Sequence, residues 1–224
     1  ADAAVCRGSF HAVLRTDVPD TVFSAFSAAL QKAQADGSLL TASLFRYENH
    51  LFFYAEGLNR PFTPQGLCPA LDAALLPWPP ALGEAAPRPW AAMQPYFYHD
   101  VPTTAADWQQ GRCPQRRRGR IALLPPDSWC SYMEHHLRIV TEGLVEGDRW
   151  HLICVQEGVL FSYLEEPRTN VNIKHQPGAH SPELDAWIAA DPESHFARFT
   201  PEQKAHPDSS HNFVFLPRIA GTED

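Results

Sequence analysis

The sequence predicts an α+β fold of two tandem ferredoxin-like repeats, each ordered β-α-β-β-α-β around an antiparallel sheet. Three features predict it: an internal repeat, strand-turn-helix punctuation at the start of each copy, and a tight hairpin within each copy. Asp20-Thr-Val-Phe-Ser-Ala-Phe-Ser-Ala-Ala-Leu30 overlies Asp127-Ser-Trp-Cys-Ser-Tyr-Met-Glu-His-His-Leu137 at an offset of 127 − 20 = 107, matching the aspartates, a hydroxyl, Ser24 with Ser131, and the leucines. Further on, His50-Leu-Phe-Phe-Tyr-Ala-Glu56 overlies Val159-Leu-Phe-Ser-Tyr-Leu-Glu165, and Tyr96-Phe-Tyr98 overlies Phe213-Val-Phe215.

Each element follows from local pattern. The apolar runs Phe10 to Leu14 and Ile121 to Leu124 are closed by Asp17-Val-Pro19-Asp20 and Pro125-Pro126-Asp127, chemistry that ends a strand and starts a helix. Two apolar runs then flank a short turn in each copy: Ser43 to Tyr47 and Leu51 to Ala55 around Glu48-Asn49, and His151 to Val155 and Val159 to Leu164 around Gln156-Glu157-Gly158. A second helix is expected near Thr63 to Leu76 and near Ser181 to Phe199, broken at Asp191-Pro192. The closing strands fall near Tyr96 and Phe213. Pro77 to Pro89 reads as a loop inside the first copy because a matching strand follows it. Weak periodicity over Thr103 to Gln115 places the linker there, and Arg116-Arg117-Arg118-Gly119-Arg120 reads as its solvated continuation. The repeats are thus 1–110 and 116–224, the second with a polar insertion from Pro167 to Ser181.

The composition narrows the partners. A net charge of −8 disfavours nucleic acid and anionic membrane, both of which reward a basic footprint. No stretch is long and apolar enough to span a bilayer, and Ala1 to Phe10 has no basic and apolar leader pattern. Cys6, Cys68, Cys113, Cys130 and Cys154 are odd in number and widely spaced, which argues against a disulfide frame and for reduced thiols in a cytoplasmic protein.

Candidate chemistry gathers in the second copy. Projected on a helix, Trp129, Tyr132, Met133, His136, Leu137, Val140 and Leu144 share one face, so Tyr132 and His136 are expected toward the core and His135 toward solvent. In the first copy Val22, Ala25, Phe26, Ala29, Leu30 and Ala33 form the matching stripe, with Ala25 and Ala29 opposite Tyr132 and His136. Alternation puts His151 on the same strand face as Ile153 and Val155. Two histidines and a tyrosine around one hollow suit acid/base work. No phosphate-cradling glycine loop, nucleophile elbow or H-E-x-x-H motif is present, so the expected reaction uses no cofactor; a metal would need His136, His151 and either Glu165 or His195. Cys154 alternates away from His151 and reads as a core residue.

From Arg118 to Pro217 the chain resembles the L-rhamnose mutarotase family. The resemblance rests on Pro126-Asp127, Tyr132-x-x-x-His136 with Ile139, the strand pair at His151 to Val155 and Leu160-Phe161, Ala190-Asp191 to Phe199, and Phe213-Val-Phe-Leu-Pro217. It implies a dimeric α/β-barrel, here with both halves of the dimer in one chain, as a monomeric pseudo-dimer or a homodimer. It further implies a cofactor-independent carbohydrate isomerase that interconverts the anomers of a deoxyhexose-type sugar. His136 and His151 would be the acid/base pair and Tyr132 would orient a hydroxyl, with Trp129, Tyr163, Phe196 and His195 as sugar contacts and no metal. Two departures stand out: His151 replaces the family's strand tyrosine, and Phe196-Ala197 replaces its tryptophan pair. A non-catalytic sugar- or small-molecule-binding module and a relative of the antibiotic-biosynthesis monooxygenases remain open as alternatives.

Overall fold

In the computed structural model, residues 2–168, 174–175, 177–204 and 206–222 are described. The first half runs β1 (Val5–Val13), α1 (Asp20–Ala35), β2 (Leu39–Tyr47), β3 (His50–Leu58), α2 (Pro69–Ala74), β4 (Ala91–Ala92), β5 (Gln94–Tyr98) and α3 (Ala105–Gln109). The second runs β6 (Arg116–Leu123), α4 (Pro126–Glu142), β7 (Val145–Glu146), β8 (Leu152–Gln156), β9 (Val159–Glu166), β10 (Lys174–His175), α5 (Pro182–Ala189), a 3₁₀ turn at Pro192–His195, β11 (Val214–Leu216) and β12 (Arg218–Gly221). The class is as predicted, α+β with two antiparallel five-stranded sheets, ordered β12-β2-β3-β1-β4 and β11-β6-β9-β8-β5. Each contains the ferredoxin-like order of its own half plus one edge strand from the other.

That edge strand sets the limits of the compact units. One comprises 1–93, 102–113 and 217–224, the other 94–101 and 114–216. The units follow the sequence halves except that β5, expected to close the first repeat, hydrogen-bonds to β8 in the second sheet, while β12 pairs with β2 in the first. β5 therefore delivers Phe97 and His99 to the second unit.

Several predicted details differ. The arginine run is strand β6, with Arg117 and Arg118 buried, rather than a solvated linker. Its alternation explains this: Arg117 faces Glu165 across the ladder at 3.6 Å, while Arg118 on the other face pairs with Glu166 at 2.9 Å and Asp208 at 2.8 Å. The helix expected from Thr63 to Leu76 is reduced to α2, and the later helix ends at Ala189, with Asp191 at φ 51 before the short 3₁₀ turn. Of the insertion expected over 167–181, residues 169–173 and 176 lie outside the described residues.

A buried polar pair recurs on the face of each sheet opposite its long helix. In the first unit Tyr54 Oη donates to Glu56 Oε1 at 2.6 Å, and Arg112 grips the Glu56 carboxylate through both terminal nitrogens at 2.7 and 3.0 Å. In the second, Tyr163 Oη donates to Glu165 Oε1 at 2.6 Å. Burial would raise the Glu56 carboxyl, but Arg112, Arg7 and the Tyr54 hydroxyl outweigh it and hold it below the usual range.

Candidate functional site

Both long helices follow a proline in extended conformation, Pro19 before α1 and Pro125 before α4. Their starts differ by 126 − 20 = 106, one less than the offset read from sequence. The buried stripe of α1 is Phe23, Phe26, Leu30 and Ala33, and that of α4 is Tyr132, His136 and Ile139. Ala25 and Ala29 are thus not the counterparts of Tyr132 and His136. Phe26 and Leu30 are, and Ala25 is exposed.

The sheets show the same substitution of character. In the second unit one transverse row reads Phe97, Ile153, Ser162, Arg120 across β5, β8, β9 and β6. The hairpin offset of 159 − 50 = 109 places Ser162 over Phe53, whose partner on β1 is Phe10, the position Arg120 takes on β6. In the first unit Phe53 fills the core, 5.7 Å edge-on from Phe26 and 6.3 Å from Phe10, with Trp90 at 6.1 Å. Where one core holds Phe10, Phe26, Leu30 and Phe53, the other holds Arg120, Tyr132, His136 and Ser162.

The consequence is a cavity of about 340 Å³ between sheet and helices of the second unit, within the range of small-molecule sites. Phe97, Trp187, Phe196 and Phe213 supply aromatic wall, and Ile153, Leu160 and Leu184 aliphatic wall. His136 Nδ1 lies 2.9 Å from the Tyr132 carbonyl oxygen. A carbonyl only accepts, so Nδ1 carries the hydrogen and Nε2 of the neutral ring holds the lone pair. Desolvation lowers the His136 pKa to about 4, against the opposing backbone hydrogen bond, so the ring is neutral near pH 7. Its ring stands 4.7 Å from Phe97 and 4.7 Å from Trp187, edge-on to both, and 4.2 Å from Tyr132. Burial pushes the Tyr132 phenol up to about 12 and Tyr96 well above its ordinary value.

Of the residues expected at the site, His136, Tyr132, His151 and Phe196 line the cavity. His151 precedes β8 and keeps the face predicted for it, with Phe97 between it and His136 at 6.4 and 4.7 Å. Three do not line it. Trp129 is 39% exposed, because the helix turns its stripe toward Ile139. Tyr163 alternates with Ser162 and so faces the opposite side of the sheet, bonded to Glu165. His195 is buried behind Trp187 at 5.3 Å, with Nε2 3.2 Å from Ser131 Oγ. Glu165 shares Tyr163's face, so the metal set considered from sequence does not assemble, and no group of three ligating side chains forms among the described residues.

Sequence reasoning missed His99, Arg120, Asp148, Arg168, Trp187 and Glu193, all lining the cavity. His99 lies flat on Gly147, where a Cβ would fall 1.9 Å from its Cδ2. Desolvation lowers its pKa to about 4, with Asp148 opposing and Arg168 reinforcing. Arg168 Nε is 3.6 Å from the buried Asp148 carboxylate. Trp187 on α5 supplies stacking surface at a position other than the expected tryptophan pair.

No family model and no curated protein matches the chain. Three solved structures are similar over nearly its whole length. One is a putative monooxygenase from Fusobacterium nucleatum, 8% identical, covering 98% of this chain and 94% of that one at a TM-score of 0.43. Another is a putative monooxygenase from Lactobacillus acidophilus, 6% identical, covering 99% and 96% at 0.39. The third is an anthrone oxidase-like protein, 7% identical, covering 97% and 95% at 0.37. None of these is a mutarotase, and no comparison supports the expected membership of the rhamnose mutarotase family or the isomerase and carbohydrate roles that came with it. Among the described residues no helix is long and apolar enough to cross a membrane.

Proposed function

We propose that the second unit encloses a planar aromatic small molecule and that His136 removes a weakly acidic proton from it, opening a monooxygenase-type reaction. The observation that carries this reading is the replacement of Phe10, Phe26, Leu30 and Phe53 by Arg120, Tyr132, His136 and Ser162 at matching places of a repeated fold. The first unit demonstrates that the fold is satisfied by hydrocarbon there. A neutral imidazole with its Nδ1 hydrogen committed to a carbonyl presents a fixed acceptor, the arrangement a general base needs. Aromatic walls favour a flat ring system and exclude water.

The chemistry is balanced with dioxygen as co-substrate. Loss of a proton from an activated methylene leaves a carbanion delocalised into the aromatic system. Dioxygen adds to that carbon, and departure of water leaves a ketone, so CH₂ plus O₂ gives C=O plus H₂O. A reducing compartment, the cytosol, is part of this proposal, in keeping with five cysteines that form no disulfide among the described residues.

Anthrone, flat and with an acidic methylene, tests this. Expected are deuterium exchange at the methylene under argon and dioxygen uptake in air, one molecule per ketone formed, both lost in His136→Leu. Absence of exchange and uptake in the wild-type protein refutes the reading. The low basicity of His136 favours a second reading, a binding module without chemistry. That module predicts saturable binding of anthrone with neither signal.

A further inference from the structure

The ligand's charge is legible in the cavity wall. Strand β6 carries four arginines, and three have carboxylate partners: Arg116 and Arg118 with Glu166 and Asp208, and Arg117 with Glu165. Arg120 has none. It makes no salt bridge or side-chain hydrogen bond among the described residues, and its Nε is buried without a partner. Its guanidinium carbon sits 4.3 Å above the centre of the Phe213 ring, which presents the planar fork to the cavity in a fixed attitude.

The nearby acids are otherwise engaged. Asp148 is wholly buried against Arg168, and Glu193 accepts a hydrogen bond from Asn212 Nδ2. The remaining titratable groups around Arg120 are the phenols Tyr96 and Tyr132, which stay protonated. A desolvated cation without a direct ion-pair partner is costly, even with the Glu193 carboxylate acting on it from a distance, and the matching position in the first unit is Phe10, so the fold itself does not require it.

Building on the reading of this cavity as an aromatic small-molecule site, we propose that its ligand presents an oxyanion conjugated to the ring system, and that Arg120 is the residue that binds it. Guanidinium matches a planar oxygen anion through two parallel hydrogen bonds, which an ammonium does not reproduce. Arg120 then fixes the ligand's orientation across the row from Phe97. The oxyanion is either a resident carboxylate or the phenolate or enolate formed in the site.

Calorimetric titration of the whole protein with 2-naphthoate, 2-naphthol and uncharged 2-naphthamide near neutral pH separates these. The wild-type protein is expected to bind at least one of the first two about tenfold tighter than the amide. Preference for naphthoate identifies a resident carboxylate, while naphthol binding with proton release identifies an oxyanion made in place. Arg120→Met should level the three affinities. Equal affinities in the wild-type protein, or a preference that survives Arg120→Met, overturns the proposal. Binding of the amide alone also overturns it while leaving the aromatic site standing; binding of none of the three removes the site as well. The wild-type comparison decides even if the variant does not fold.

Discussion

His136→Leu copies the residue that the first unit keeps at the same place, Leu30, and its effect on acid stability follows from the site. In the unfolded chain this imidazole takes up a proton near its ordinary value of 6.5, whereas in the folded protein desolvation delays uptake to about 4. Between those values the unfolded state binds more protons, so stability falls as pH falls. Above pH 6.5 the group contributes no pH dependence, and below 4 the loss is complete. At about 1.4 kcal/mol per pH unit the gap amounts to about 3 kcal/mol. Urea unfolding of the second unit, followed from pH 8 to pH 4 by circular dichroism, should show this decline in the wild-type protein on top of a similar one from His99. The leucine variant should lack about 3 kcal/mol of it and match or exceed the wild-type protein at neutral pH. A decline of unchanged size in the variant would show that His136 is solvated and refute the account of the cavity.

Other outcomes follow from the same geometry. Gly147→Ala sets a methyl group into the His99 ring, so that imidazole must leave its seat; its NMR titration midpoint should rise from about 4 toward 6.5. Glu56→Gln removes the carboxylate charge that the buried Arg112 guanidinium grips and should lower stability by about 3 to 5 kcal/mol in urea melts. The same change at the exposed Glu134, paired with Arg138 on the surface of α4, should cost no more than about 0.5 kcal/mol.

Much of the fold is visible in the sequence because turn chemistry and alternation are local. The hairpins at Glu48-Asn49 and Glu157-Gly158 and the break at Asp191 stand where pattern places them. The site is legible only in part. Tyr132, His136 and His151 emerge from periodicity, yet matching Ser24 to Ser131 shifted the helices by one residue and hid the fact that Phe26 and Leu30 are the counterparts. Aligning Pro19 with Pro125, the two residues that precede the helices, would have corrected it. His99 lay beyond local reasoning, because β5 follows the first repeat in sequence and joins the second sheet through long-range pairing. Arg120 was obscured by its neighbours: a run of arginines reads as solvated until strand alternation assigns Arg117 and Arg120 to different faces.

The second core is open where the first is filled, and Ser162→Phe restores the residue of the first. Calorimetric titration of both proteins with 2-naphthamide, a flat probe without charge, tests this most directly. Saturable one-to-one binding by the wild-type protein, lost in the variant while its urea midpoint holds or rises, is the predicted result. Equal binding by the two proteins, or binding by neither, would contradict it.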